Sequence, residues 1–251
     1  MSKPLRLLHI TDLHLGNNKG DRLSHIDCDA SLYQVINLIK SEHFDALFIT
    51  GDIASHGALN AYQRLQEMLA EIKTPIYLLP GNHDDIDVMH QIFSDLKNNV
   101  EFGDWQLILL DSTEGKHDFG RLSTDELQFL EASLQETQAK YSLIALHHPP
   151  VDIDSAWMDA MQLKNKQAFF DIIDRFDSPR AIVWGHVHQE FDQQRKGVRL
   201  LASPSTCSQF LPNSAQHQND IQAAGYRWLQ LNADGSVDTG VVRIVHPEGS
   251  V

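Results

Sequence analysis

Asp12 and His14 stand two residues apart in Thr11-Asp12-Leu13-His14, and His186 and His188 repeat that spacing in Gly185-His186-Val187-His188. Between these pairs lie Gly51-Asp52, Gly81-Asn82-His83-Asp84 and the doublet His147-His148. Carboxylate, carboxamide oxygen and neutral imidazole bind hard and borderline divalent cations. Asp12, His14, Asp52, Asn82, His147, His186 and His188 make a set too large for one tetrahedral ion. They suit two ions ~3.5–4 Å apart that share a carboxylate. The set holds no thiolate, which points away from structural zinc and toward Mn, Fe or catalytic Zn.

Taken singly, each piece has a plainer explanation. Asp12 and Asp52 could cap helices or sit in turns, and Gly81 could serve only to supply a positive φ. His147 or His148, ahead of Pro149-Pro150, could be an ordinary loop histidine. What joins them is position, because each follows a short apolar run: LRLLHI, ALFIT, PIYLLP, SLIAL and AIVW. In open α/β sheets the ligand crevice lies beyond the carboxyl ends of the strands. One site therefore accounts for five polar loops. If the chain is still extended there, residues two apart project to one side, so each pair is expected to face inward together.

The elements that must position these loops follow from hydrophobic period. Strands are expected at Leu5–Ile10, Ala46–Thr50, Ile76–Leu79, Gln106–Leu110, Ser142–Leu146 and Ala181–Trp184. Helices are expected at Asp29–Glu42, Asn60–Lys73, Ile86–Lys97, Thr124–Gln138 and Asn165–Phe176. Leu127, Leu130 and Leu134 recur at helical spacing and read as core. Alternation of strand and helix predicts an α/β fold with helices covering the sheets. From about residue 189 the chain becomes strand-rich, with a hairpin over 191–206 around Lys196-Gly197 and strands at 226–231 and 241–245. No repeat or linker divides the 251 residues, so a single domain over 1–251 is expected.

Composition narrows the partners. Twenty Lys and Arg against 34 Asp and Glu leave a net charge of −14, which disfavours nucleic acid and anionic membranes. No apolar run approaches the ~18 residues of a membrane span. The N-terminus lacks a secretory pattern, and Cys28 and Cys207 form no disulfide framework, so a cytoplasmic protein is expected. His25, His43, His90, His217 and His246 read as surface residues.

The ordered motifs DxH, GD, GNH, a post-strand histidine and GHxH resemble those of the calcineurin-like metallophosphoesterases. Here they are Asp12-Leu13-His14, Gly51-Asp52, Gly81-Asn82-His83, His147 and Gly185-His186-Val187-His188, spanning about residues 5–190. HITDLHL, FITGDIA, LLPGNHDD, LHHPP, GHVHQE and SPSTCSQF are further similar to the bacterial class III 3′,5′-cyclic-AMP phosphodiesterases. The resemblance implies a four-layer sandwich, with two central mixed sheets flanked by helices. It also implies one metal on Asp12, His14, Asp52 and His188, and another on Asp52, Asn82, His147 and His186. Fe or Mn is the implied pair, with Zn, Co or Ni also suitable. Phosphate-side contacts are implied for His14, Asp52, Asn82, His83 and His188. His83 would protonate the leaving oxygen while a metal-bound hydroxide attacks phosphorus. The implied partner is a small cyclic nucleotide, on a monomer or homodimer. A 2′,3′-cyclic nucleotide or monoester substrate is the alternative within the family, and a non-catalytic scaffold is disfavoured because every ligand position is filled. Selectivity is expected from the C-terminal strands and the loop at 203–214, with Cys207 and Phe210 as candidate pocket residues. Asp84 is expected to cap a helix.

Overall fold

The computed structural model describes residues 3–94 and 96–245; His246 lies outside them. In chain order come β1 (Leu5–Ile10), β2 (Arg22–Leu23), β3 (Ile26–Asp27), α1 (Cys28–Lys40), β4 (Ala46–Thr50), α2 (Leu59–Leu69) and β5 (Ile76–Leu79). Next are α3 (Ile86–Ile92), β6 (Asn99–Phe102), β7 (Trp105–Leu109), α4 (Thr124–Glu136), β8 (Tyr141–Ala145), α5 (Ala156–Asp159) and α6 (Lys166–Ile173). The chain closes with β9 (Pro179–Trp184), β10 (Phe191–Arg195), β11 (Val198–Ala202), β12 (Gln209–Phe210), β13 (Asn219–Asp220), β14 (Gly225–Leu231) and β15 (Val237–Arg243).

Two mixed sheets carry the architecture. One runs β15-β14-β1-β4-β5 and the other β10-β11-β9-β8-β7-β6. Their inner strands are apolar on both faces, and the period of two sorts the side chains into the core between the sheets and those beneath the helices. Leu7, Phe48, Leu107, Leu109, Ala145, Val183 and Leu229 face inward and fill the space between the sheets. Leu8, Ile10, Leu47 and Ile49 face outward onto α1 and α2 through Leu32, Ile36, Tyr62 and Leu65. Ile144, Ile182 and Trp184 face outward onto Leu130, Leu134, Phe169 and Ile173 of α4 and α6. The result is helix, sheet, sheet, helix, the expected four layers.

Local chemistry fixes the element ends. The Asp27 carboxylate accepts from the Ala30 N–H (2.9 Å) to open α1, and Ser123 Oγ accepts from the Glu126 N–H (3.1 Å) to open α4. Lys196 and Gly197 both adopt positive φ, 48° and 86°, and make the two-residue turn of the β10–β11 hairpin. That hairpin ends at Ala202, earlier than expected, because residues 203–208 leave the sheet to run beneath the β1 loop. α3 is also shorter than expected. It stops at Ile92, and Phe93 and Leu96 then pack onto the helix-side core while the chain turns to form β6. β6 was not anticipated; its four residues NVEF alternate between exposed and half-buried and carry little apolar signal.

Candidate metal centre

The parallel strands β4, β5, β8 and β9, together with β1, deliver their following loops to one edge of the molecule. The β1 and β4 loops continue side by side beyond the sheet. Asp12 N–H donates to Gly51 O (3.1 Å), His14 N–H to Asp52 O (2.8 Å), and Leu15 N–H to Ile53 O (2.9 Å). The two sheets meet at Asp12, whose carboxylate oxygens both accept from the His186 N–H at 3.0 and 2.9 Å.

Asp12, His14, Asp52, His186 and His188 have φ of 53°, 48°, 49°, 67° and 48°. The expectation of extended pairs is therefore corrected: both members of each pair lie in the left-handed region. Each such residue costs ~1–3 kcal/mol and persists only where surrounding structure imposes it. Here the imposing contacts are the loop-to-loop hydrogen bonds above and the serine-rich segment beneath. Ser205 Oγ–H donates to Asp12 O (2.6 Å), Thr206 N–H to Thr11 O (3.1 Å), and Ser31 Oγ–H of α1 to Thr206 O (2.7 Å).

The seven expected ligand side chains come together. His147 Nδ1–H donates to Thr50 O (2.8 Å) and His188 Nδ1–H to Ser208 O (2.8 Å). These bonds fix the tautomers and turn both Nε2 lone pairs inward. His188 Nε2 lies 3.0 Å from His14 Nε2 and 3.3 Å from Asp12 Oδ1, with His14 Nε2 3.6 Å from Asp52 Oδ2. His147 Nε2 lies 3.3 Å from Asp52 Oδ2, 3.2 Å from Asn82 Oδ1 and 3.3 Å from His186 Nδ1. Acceptor atoms facing one another in a dry interior are unfavourable unless cations lie among them. Ligand atoms of Asp12, His14 and His188, and of Asp12, Asp52 and His147, come within 4.8 Å of one another. The donor set fits a binuclear metal centre.

The charge states of His14 and His186 agree with that fit, whereas His147 holds a proton that a cation at Nε2 would have to displace. Burial drives the His14 imidazole down to about 3 despite the pull of Asp52, and holds His186 well below the histidine range. Neutral imidazole is the ligating form. Burial alone would raise the Asp52 carboxyl, but His147 beside it holds it well below the carboxylate range. Burial alone would lower His147, but Asp52 lifts it to about 9.

His148 also approaches His147 and His186. Ser112 Oγ accepts from the N–H groups of both His147 (3.3 Å) and His148 (3.2 Å), which uses its two lone pairs. Its own hydrogen therefore goes to His148 Nδ1, 2.9 Å away, and His148 keeps its proton on Nε2. In that tautomer Nε2 carries a hydrogen and has no hydrogen-bond partner among the described residues.

His83 sits at the exposed rim of the cluster: one of its ligand atoms lies within 4.8 Å of those of His14 and Asp52, and its ring meets that of His14 at 5.1 Å. It is exposed, its N–H donates to Asp52 Oδ1 (3.0 Å), and its Nδ1 lies 3.1 Å from Ser55 O. The expectation for Asp84 is corrected: the cap of α3 is Asp85, which accepts from the Asp87 and Val88 N–H groups, both 3.1 Å. Asp84 instead accepts from the N–H groups of Ile53, Ala54 and Gly81 and from the Tyr62 hydroxyl, at 2.9–3.2 Å, joining the β4 loop to the β5 loop.

One further residue carried no signal in the sequence. His9, in the apolar run of β1, is buried between the sheets, stacked on Phe48 and bonded to Thr50 Oγ1 and Ser203 Oγ, both 2.6 Å. Cys28 and Cys207, 179 positions apart, are buried free thiols with their sulfurs 2.9 Å apart. Cys207 therefore packs in the core, whereas Phe210 lines a cavity of about 520 Å³ that opens over His14, Asp52, Asn82, His186 and His188. His25, His43, His90 and His217 are exposed, as expected. Among the described residues, no helix is long and apolar enough to cross a membrane.

Comparison with known proteins bears on this geometry. The sequence model of the calcineurin-like phosphoesterases matches residues 5–190. A Pseudomonas aeruginosa protein named 3′,5′-cyclic adenosine monophosphate phosphodiesterase CpdA is 39% identical, over 95% of this chain and 89% of its own. A 3′,5′-cyclic-nucleotide phosphodiesterase of Nostoc sp. is 36% identical, over 96% of this chain and 93% of its own. Among solved structures, a dimetal phosphatase from Danio rerio superposes with a TM-score of 0.65 at 15% identity, covering 97% of this chain and all of that one. That last likeness concerns the fold.

Proposed function

This chain belongs to the calcineurin-like phosphoesterase family, and from that premise we propose that it hydrolyses 3′,5′-cyclic AMP to 5′-AMP. The observation that carries the reading is the convergence of seven acceptor side chains from five loops beneath one cavity. Full-length similarity to proteins named as cyclic-nucleotide phosphodiesterases supports the substrate.

Asp12, His14, Asp52 and His188 would hold one cation, and Asp52, Asn82, His147 and His186 the other. When bound, two divalent ions neutralise phosphate oxygens and lower the pKa of water toward ~7. The chain's residues do the rest. Thr50 O and Ser208 O keep His147 and His188 in the ligating tautomer. His83, on the cavity wall, donates its Nδ1–H to Ser55 O and turns Nε2 to the substrate. Water would release one proton to solvent, its oxygen would bond to phosphorus as the bond to the 3′ oxygen breaks, and His83 Nε2–H would protonate that 3′ oxygen. Such general acid catalysis contributes ~10²–10⁴ in rate. His14, Asp52, Asn82 and His188 border the phosphate end of the cavity. Fe or Mn suits this thiolate-free donor set. The net charge of −14 supports a small-molecule substrate over nucleic acid, and a sequence with two cysteines and no disulfide framework supports a cytoplasmic setting.

The test is a product assay of the Mn- or Fe-loaded protein on 3′,5′-cyclic AMP, 2′,3′-cyclic AMP and 5′-AMP. Conversion of the first to 5′-AMP is expected. Turnover confined to the other two would overturn the substrate. His83→Ala should retain two metals while kcat falls ~10²-fold or more; undiminished kcat would remove the acid role.

A further inference from the structure

The cavity has two unlike ends. One is the metal-binding cluster. The other is an apolar wall made by Trp157 and Met158 of α5, Met161 just after it, and Phe210 of β12, with Leu23 of β2 also in the lining. The wall begins at the metal centre itself. His188 stacks on Phe210 with ring centroids 4.1 Å apart and planes 8° from parallel, which covers that face of the phenyl ring. Phe210 then meets Trp157 at 5.2 Å and 72°, and His217 braces both rings at 5.0 Å. Trp157 packs onto the outer core on one side and remains half-exposed to the cavity on the other. It is a large flat surface, locked by neighbouring rings, a few side chains from the cations.

Resting on the cyclic-nucleotide reading above, we propose that Trp157 is the platform on which the substrate's nucleobase stacks, and the residue that sets preference for a base-bearing diester. A nucleoside cyclic phosphate is itself two-ended. Its anionic phosphate belongs among the cluster residues, which leaves the flat base to the one part of the lining with no charge to desolvate. Phe210 cannot serve alone, because His188 occupies one of its faces. The β2–β3 hairpin carries Arg22 and Leu23 into the same lining and is tied to β13 by the Ser24 Oγ–H to Asn219 Oδ1 bond (3.2 Å). The expected selectivity loop at 203–214 thus supplies only Phe210; Trp157, Met158 and Met161 come from α5, a four-residue helix with no sequence signal of its own, and the turn after it.

The test uses the metal-loaded full chain and two substrates, 3′,5′-cyclic AMP and the abasic 1-O-methylribose 3′,5′-cyclic phosphate. Trp157→Ala should raise KM for cyclic AMP about tenfold or more with kcat nearly unchanged, and leave both constants for the abasic substrate as they were. Trp157→Phe should recover most of the loss. Adenosine should inhibit wild-type turnover of the abasic substrate competitively and ribose should not, a readout that needs no variant. Equal damage to both substrates, or equal KM for both in the wild type, overturns the platform while leaving the phosphodiesterase intact. If the wild type turns over neither cyclic phosphate, the substrate reading and the platform fall together.

Discussion

The carboxylate of Asp12 accepts the His186 N–H through both oxygens, at 3.0 and 2.9 Å, so a side chain from the first sheet is anchored to the backbone of the second. Asp12 has two tasks that pull on the same oxygens. It orients the Gly185–His188 turn, and it offers Oδ1 to the cation site beside His188 Nε2.

Asp12→Asn separates them. The amide keeps one oxygen for the His186 N–H, so the fold should survive, but the charge that attracts the cation is gone. Metal affinity should fall by about 10–100-fold, with activity falling in step. Elemental analysis after dialysis reads the stoichiometry. Two equivalents of metal retained by the variant would show that Asp12 is only an anchor.

Gly81 has no positive φ, so turn geometry does not explain it. A Cβ there would come within 2.2 Å of Asp52 Oδ1 and 2.4 Å of the Asp52 nitrogen. Gly81→Ala must therefore push the shared carboxylate out of place. A displacement near 1 Å costs about 10²-fold in rate, with ~1–3 kcal/mol of stability lost to overpacking. Steady-state kinetics and urea unfolding measure the two; normal kcat would mean that the β5 loop yields freely.

The metal-binding half of the site was legible in the chain because its chemistry is carried by residue type and spacing. Asp12, His14, His186 and His188 announce themselves, and the apolar run before each loop says that all of them end at one sheet edge. The backbone that presents them was not legible. Left-handed φ at these four and at Asp52 is imposed by partners far away in sequence, Ser205 and Thr206 among them. Asp84 precedes a helix as a cap does, yet its four donors are Ile53 and Ala54 of the β4 loop, Tyr62 of α2 and Gly81 of its own loop. Trp157 had no periodic neighbour to mark it, and it matters only because Phe210 and His217 arrive beside it.

Arg227 tests the union of the sheets. It is buried on β14, and it donates to Ala202 O (3.1 and 2.7 Å) and Phe191 O (3.2 Å) of the other sheet and to Thr239 Oγ1 (3.2 Å) on β15. Burial lowers it to about 10, so it stays charged at neutral pH. Arg227→Ala leaves a cavity and strips these carbonyls of donors in a dry interior. A loss of about 3 kcal/mol in urea unfolding is expected. A loss below ~1 kcal/mol would mean that water or a shifted strand replaces the guanidinium.

Glu126, in the first turn of α4, accepts from the Asp111 N–H at 3.0 Å. Burial, then the nearby Asp111 charge, pushes its carboxyl up to about 7 from an ordinary 4.5. The folded state therefore binds a proton that the unfolded chain releases across this interval. The group's contribution to stability is complete below the unfolded value and is lost as pH rises through the folded one. Glu126→Gln removes the ionisation and leaves an oxygen for the Asp111 N–H. The variant should melt higher than the wild type at about pH 8, and the gap should close as pH falls toward ~4. Melting curves across that range decide it. A gap of the same size at both ends would assign the effect to packing and not to the proton.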